Sequence, residues 1–249
     1  MSEPQPSATL AGVAARACLA ARRRAAGLGL LALLVAAPFA AGAETASETA
    51  SERAAIPSGP LTLETLMQHM STTTGVRAEF REEKLLALLE APLVSEGMLY
   101  FIPPARMARI TSRPGVSALV IDGGRLSYTD EAGASDVDLA GNRVARTLVE
   151  NFVVLFSGDL VALRERYDVA FSAQGTHWRI QLLPKAPPLS RFIASVELRG
   201  VGPAFEEMAV READGDRTTT RFQRVETDTH FSPEELARLF PPGPSAARP

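Results

Sequence analysis

The stretch GMLYFIPPARMARITSRPGVSALVIDGGRLSY, residues 97–128, decides the fold expected for this chain. It consists of short apolar runs separated by three turn signals, Pro103-Pro104, Pro114-Gly115 and Asp122-Gly123-Gly124. An Asp-Gly pair between two apolar runs favours a hairpin, because glycine accepts the positive φ that such a turn requires. Aliphatic and aromatic residues at this density are typical of half-buried strands. The stretch therefore predicts an antiparallel meander with one strongly apolar face.

Composition sets the class of protein. The chain has 249 residues, of which 46% are hydrophobic and 22% charged, as in a globular protein with one domain and a targeting segment. Its formal net charge is −3, and the first 43 residues hold four arginines against one glutamate, so the remainder is more acidic than the whole. An acidic body argues against a nucleic-acid partner and against a polybasic membrane contact.

Residues 1–43 have the pattern of a secretory signal peptide. Arg22-Arg23-Arg24 precede an apolar run from Gly27 to about Phe39, and Ala41-Gly42-Ala43 follows as a small-residue cleavage site. The run is short for a membrane span, although an uncleaved N-terminal anchor stays open as an alternative. We predict export to the periplasm and cleavage near Ala43. The sole cysteine, Cys18, precedes the run, so the mature chain would contain no disulfide and no cysteine nucleophile.

The rest of the chain divides into three parts. Residues 44–60 are rich in Ala, Ser, Thr and Glu and predict a disordered linker, residues 61–240 predict the folded domain, and residues 241–249 a disordered tail. We expect a monomer.

Helix signals occur at four places in the predicted domain. They are a helix capped by Thr62 and stopped before Gly75, a helix over Asn142–Phe156, a short helix from Asp159 to Arg166, and a C-terminal helix with Ser232 as cap and Glu235 in a capping box. Between them, alternating apolar and polar residues predict strands. We also predict strand for Lys84–Glu90, and a loop for Thr129–Gly141 with a short strand at Val137–Leu139.

Motifs that carry chemistry are weak in this sequence. His69, His177 and His230 lack metal-ligand spacing, and Asp214 and Asp216 resemble a calcium loop without its bidentate glutamate. No glycine-rich phosphate cradle occurs. We therefore predict no catalytic residues, no metal and no cofactor, while an enzyme built from residues distant in sequence stays open.

The sequence has an excess of apolar residues, in contrast to its weak catalytic and metal-binding motifs. The strand at Met98–Ile102 is apolar on both faces, and the helix over Asn142–Phe156 is apolar most of the way round. A well-filled core explains this pattern. A half-closed sheet whose concave side holds an apolar guest under a helical lid is the alternative explanation, and for any single residue the core explanation carries more weight.

The order of these signals resembles the periplasmic outer-membrane lipoprotein carrier (LolA) family from about Leu61 to Phe240. The resemblance rests on VRAEFRE at Val76–Glu82 after a capped helix, GMLYFIPP at Gly97–Pro104 and IDGGRLSY at Ile121–Tyr128. It implies an α+β fold, an incomplete antiparallel β-barrel with helices covering the concave side as a lid. It also implies a carrier that takes acylated lipoproteins from an inner-membrane ABC-type complex to an outer-membrane acceptor.

One departure from the family concerns the lid. In the strand that ends at Pro103-Pro104, the resemblance implies an arginine immediately before Pro104, where it ties down the lid. In this chain Pro103 stands at that position, and Met107 stands where the family has an aromatic residue. That contact cannot be transferred to this chain. We expect Arg106 and Arg109 to face solvent. A divergent member that handles another acylated or polyene-type lipid is as plausible as a general lipoprotein carrier.

The predicted lipid-binding residues come from strands and from the lid helix, and a one-residue slip in register would reverse the strand residues. They are Leu99, Phe101, Met107, Leu119, Ile121, Leu126, Leu148, Phe152 and Phe156. Two alternatives stay open on the same fold. One is a lipid- or lipoprotein-sensing regulatory module without transfer activity. The other is an enzyme acting on a lipid, which perturbed carboxylates inside the cavity would support.

Overall fold

The computed structural model describes residues 61–87 and 91–241, and within them the chain forms eleven strands, four α-helices and one 3₁₀ helix. The predicted signal peptide and linker, the tail after Pro241 and the last three residues of the Lys84–Glu90 segment lie outside the described residues.

The helices are α1 (Leu63–Thr72), α2 (Arg143–Ser157), α3 (Leu160–Arg166) and α4 (Pro233–Leu239), with the 3₁₀ helix at Leu189–Arg191. The strands are β1 (Val76–Leu85), β2 (Leu93–Ile102), β3 (Arg106–Arg113), β4 (Ser117–Asp122), β5 (Arg125–Asp130), β6 (Gly133–Asp138), β7 (Tyr167–Gln174), β8 (His177–Pro184), β9 (Ile193–Val201), β10 (Ala204–Glu212) and β11 (Arg217–Thr227).

All described strands join one sheet in the order β6-β5-β4-β3-β2-β1-β11-β10-β9-β8-β7. Each neighbouring pair is antiparallel. The two halves of the sheet meet where β1 pairs with β11, and β6 and β7 are its open edges. The predicted fold class, an incomplete antiparallel barrel with helices, is confirmed.

Local signals placed the turns and helix ends correctly. Asp122 lies opposite Arg125 across a two-residue turn, and Gly123 has the expected positive φ of 59°. The side chains of Thr62, Asn142, Asp159 and Ser232 each accept a hydrogen bond from the first turn of the helix that follows. These caps satisfy backbone donors that have no partner inside the helix.

Three predictions of secondary structure were incomplete or wrong. The loop predicted over Thr129–Gly141 is largely strand, since β5 continues to Asp130 and β6 follows. Strand β7 had not been predicted. Both are edge strands with many exposed side chains. Strand β6 carries little apolar alternation, whereas Tyr167, Val169 and Phe171 alternate along β7 and are a usable strand signal. In the Lys84–Glu90 segment, strand ends at Leu85.

Helix α4 packs on the side of the sheet away from α1 and α2. Its cluster contains Leu239 and Phe240 against Ala108 and Val120, with Tyr100, Ile102, Ile110, Phe231 and Leu236 packed around it. The predicted lid covers the concave side, and α4 is an additional helix on the other side of the sheet. It also explains why β2 is apolar on both faces: each face has its own helical cover.

Gly158, at the end of α2, lies against the backbone of α1. It ends α2 with a φ of 71°, and a Cβ atom there would lie 2.5 Å from the Met67 carbonyl oxygen and 2.4 Å from the Ser71 nitrogen. Only glycine permits both the left-handed conformation and this close approach. The two helices therefore meet backbone to backbone.

Candidate functional site

Strand register places the six predicted strand residues on one face of the sheet. Directly opposed residues in neighbouring strands share a face, and the pairs include Leu99 with Arg109, Phe101 with Met107, and Ile121 with both Met107 and Leu126. Phe101 lies 6.1 Å from Phe156 of α2, ring centre to ring centre. We call this side, which α1 and α2 cover, the inner face.

An apolar pocket lies between α1, the end of α2 and the middle of the inner face. Its polar contributions come from His69, Thr73 and Thr227. The remaining lining residues are Met70, Val76, Ala78, Leu99, Phe101, Phe156, Pro203, Phe205, Phe222 and Val225. Both halves of the sheet contribute, because β1 carries Val76 and Ala78 between β2 and β11. The site therefore exists only in the assembled sheet.

The pocket is open to solvent but has little free volume. Its free volume is about 40 Å³, although the whole space between atoms out to the mouth is about 580 Å³. A volume of 40 Å³ holds a few water molecules at roughly 10–15 Å³ each, and is too small for an acyl chain. The open hollow expected from the resemblance is thus absent from this conformation. An acyl chain can enter only if the aromatic side chains or the covering helices move.

A second, wider groove runs along α2 on the side of the β2–β3 and β4–β5 turns. Its free volume is about 540 Å³. Pro103, Pro104, Ile121 and Leu139 line one wall, and α2 contributes both apolar side chains and the charged Arg146 and Glu150. Its mixed polar and apolar lining distinguishes this groove from the apolar pocket.

The nine predicted lipid-binding residues separate into groups. Leu99, Phe101 and Phe156 line the apolar pocket, and Ile121 lines the groove. Met107, Leu126 and Leu148 are buried core residues outside both linings, and Leu119 is half-buried. Phe152 is half-buried with its ring 5.4 Å from Phe156.

Sequence reasoning missed the part of the pocket that comes from the second half of the sheet. Phe205 lies 5.4 Å from Phe156 and 5.3 Å from Trp178, ring centre to ring centre. Phe222 pairs directly with Phe80 of β1. The alternation of Val76, Ala78 and Phe80 was a usable signal for one strand, but nothing local indicated that β11 would be its neighbour.

Arg109 is buried on the inner face, which corrects the expectation that it faces solvent. Its Nη2 atom lies 2.9 Å from Glu82 Oε1, and it also donates to Ser95 Oγ at 3.3 Å. Thr220 donates to the other Glu82 oxygen at 2.8 Å. Burial raises the pKa of the Glu82 carboxyl group, while Arg109 and Thr220 oppose that rise. Burial likewise lowers the pKa of Arg109.

Arg106, the other arginine expected in solvent, is half-buried. Its guanidinium forms an ion pair with Asp122 at 2.8 Å and lies 4.2 Å above the Phe240 ring. It thus helps to hold the end of α4 to the outer face.

Three carboxylates cluster at the β10–β11 turn, where the oxygens of Glu212, Asp214 and Asp216 lie within 4.8 Å of one another. Lys84 supplies a positive charge there, with Nζ 2.9 Å from Glu212 and 3.9 Å from Asp216. The apolar pocket itself has no carboxylate among its described lining residues. The perturbed carboxylates that would have supported lipid chemistry inside the cavity are therefore not found in that lining.

Among residues 61–87 and 91–241, no helix is long and apolar enough to cross a membrane.

Several solved structures resemble this chain at low sequence identity. A LolA superfamily protein from Nitrosomonas europaea is 8% identical, with a TM-score of 0.40 over 71% of this chain and 97% of that one. A putative outer membrane lipoprotein-sorting protein domain from Vibrio parahaemolyticus is 8% identical, with a TM-score of 0.40 over 71% and 95%. MucB of Pseudomonas aeruginosa, in its complex with MucA, is 11% identical, with a TM-score of 0.42 over 69% and 57%.

No curated protein sequence shows a significant match to this chain. The family described as outer membrane lipoprotein carrier protein LolA-like matches residues 54–237, which is most of the chain. Its members are carrier or binding proteins. The chain therefore belongs to the LolA-like family, as a divergent member.

Proposed function

We propose that this protein binds the acyl chains of a lipoprotein, or of another lipid, in the apolar pocket and carries them from the inner to the outer membrane. The single observation that supports this is the pocket itself, whose lining is apolar apart from one histidine and two threonines. In this proposal the chain works in the periplasm after losing residues 1–43.

The energetics of acyl binding fit such a pocket. Each methylene removed from water contributes about 0.8 kcal/mol, so even a partly buried chain gains several kcal/mol. Because the pocket has little free volume, some of that gain must offset the movement of the lid that makes room for the chain.

The contacts at the edges of the lid are compatible with opening. Glu64 of α1 and Arg164 of α3 form an ion pair at 2.7 Å, but both side chains are more than half exposed, so solvent screens the pair and it contributes little to stability. Apolar packing against the inner face is the main force that closes the lid. An acyl chain would replace that packing with contacts of the same chemical kind.

The partners in this proposal follow from the family. The donor would be an inner-membrane ABC-type complex, the acceptor an outer-membrane receptor, and the carrier a monomer.

The test compares three proteins purified from the periplasm by native mass spectrometry. Wild-type protein should retain lipid. Phe205→Asp places a carboxylate in the pocket and should lose it, whereas Val116→Asp, at an exposed position between β3 and β4, should behave as wild type. Wild-type protein that never carries lipid, even after incubation with acylated peptide, would contradict the proposal.

A transfer assay separates a carrier from a sensing module. Lipid-loaded protein is mixed with vesicles of outer-membrane lipid, and the lipid on each is measured over time. Release supports the carrier. Stable retention would instead support the regulatory module without transfer activity.

A further inference from the structure

Side chains on the inner face of β1 change character along the strand. Val76 and Ala78 line the apolar pocket, Glu82 and Lys84 are buried charged residues, and Phe80 stands between the two groups. Alternate residues of a strand lie roughly 6–7 Å apart along its axis. The inner face of β1 is therefore apolar up to one step before Phe80 and charged from one step after it.

Phe80 lies next to two lining residues at this end of the pocket, Ala78 on its own strand and Phe222 on β11. It is 3% exposed and lies directly across from Phe222, which lines the pocket from β11. Gly97 lies across from it on the other side, in β2, and offers no side chain there.

The ring of Phe80 is supported from behind by charge. The Arg109 guanidinium carbon lies 4.2 Å from the ring centre, a distance at which a cation is attracted to the ring face. Arg109 is in turn held by Glu82 at 2.9 Å, and Glu82 by Thr220 at 2.8 Å. Both charged side chains are less than a tenth exposed. Displacing the ring would break its contact with the Arg109 cation, so the ion pair holds the ring in place.

We propose that Phe80, supported by the Arg109–Glu82 pair, is the end wall of the acyl pocket and sets the longest chain that the protein accepts. This inference rests on the proposed function. It adds a specificity-determining residue: chains that reach Phe80 gain affinity with each methylene, and carbons beyond that length stay outside.

The experiment measures affinity against chain length. Saturated fatty acids from laurate to arachidate are titrated into the mature protein by calorimetry, below their micelle-forming concentrations. Each newly buried methylene should tighten binding about fourfold, until wild-type affinity stops rising at one length. Phe80→Ala should move that plateau to longer chains, so that the longest fatty acid binds about tenfold or more tighter than it binds wild type.

Two further variants keep the test decisive. Phe80→Leu removes less volume and should move the plateau in the same direction by a smaller step, even if Phe80→Ala folds poorly. Phe171→Ala removes an equal side-chain volume from the same face, opposite Ile180 on the edge strand β7 and away from β1 and the pocket, and should leave the plateau in place.

The outcomes distinguish the two proposals. Wild-type protein that binds no fatty acid overturns the proposed function. Wild-type protein that binds fatty acids without a plateau, or a plateau unmoved in both Phe80 variants, overturns the end wall alone.

Discussion

Arg109 and Glu82 form a buried ion pair on the inner face of the sheet, with 2.9 Å between Nη2 and Oε1. They come from β3 and β1, two strands that are not neighbours, with β2 between them. The pair therefore connects β1 to β3 across the inner face of β2. The guanidinium carbon of Arg109 also lies 4.2 Å from the centre of the Phe80 ring.

Removing one partner of this pair should destabilise the protein strongly. Arg109→Met leaves the Glu82 carboxylate buried without its cation, and we expect a loss of about 3–5 kcal/mol in the free energy of unfolding by urea denaturation. The double variant Glu82→Leu with Arg109→Met should recover most of that loss. Arg81→Met, which removes a more exposed ion pair on the opposite face of β1, should cost at most about 1 kcal/mol. Equal losses for Arg81 and Arg109 would contradict this account.

The loss in Arg109→Met should depend on pH. Burial already raises the pKa of Glu82, and without the arginine it should rise further. A carboxyl group whose folded pKa exceeds its unfolded value of about 4.3 binds its proton more tightly in the folded state. The deficit relative to wild type is then fully present above the folded pKa and shrinks as the pH falls through it. Urea midpoints for both proteins across this range provide the measurement, and a deficit that grows in acid would refute the assignment.

Gly158 should tolerate no side chain. In Gly158→Ala the new methyl group meets backbone atoms of Met67 and Ser71 in a conformation that alanine disfavours, so α1 and α2 must separate. We expect a loss of about 1–3 kcal/mol in unfolding free energy. Gly124→Ala is the matched control, because its Cβ would meet nothing within 4 Å. Thermal unfolding of the two variants gives the comparison, and equal midpoints would show that the helices do not meet as described.

Phe152→Asp should abolish lipid uptake while leaving export intact. Its ring lies 5.4 Å from that of Phe156, which lines the pocket, so the substitution places a carboxylate beside an apolar binding surface. Val144→Asp, at an exposed position on the same helix, should retain uptake. Periplasmic protein level reports export, and lipid recovered with the purified protein reports uptake. Uptake that survives in Phe152→Asp would identify this part of α2 as core rather than lid.

Much of the fold could be predicted because its signals are local. The Asp122-Gly123-Gly124 turn, the capping residues Thr62 and Ser232, and the alternation along β1 each act within a few residues. Edge strand β6 could not be predicted because its exposed side chains show no apolar period, whereas in β7 Tyr167, Val169 and Phe171 alternate and are a usable local signal. The candidate site was predicted in part, since Leu99, Phe101 and Phe156 line the apolar pocket while Phe205 and Phe222 had not been named.

The sequence by itself determined most of the antiparallel strands and the helix ends, because turns, caps and apolar periodicity depend on residues close together in the chain. The order of these signals also determined the LolA-like resemblance. Only the tertiary structure decided that α4 covers the outer face, that Arg109 is buried with Glu82, and that the pocket has little free volume. Each of these depends on which strand pairs with which and on how tightly distant side chains pack. The pairing of β1 with β11 brings Phe80 to Phe222, and no local pattern specifies that contact.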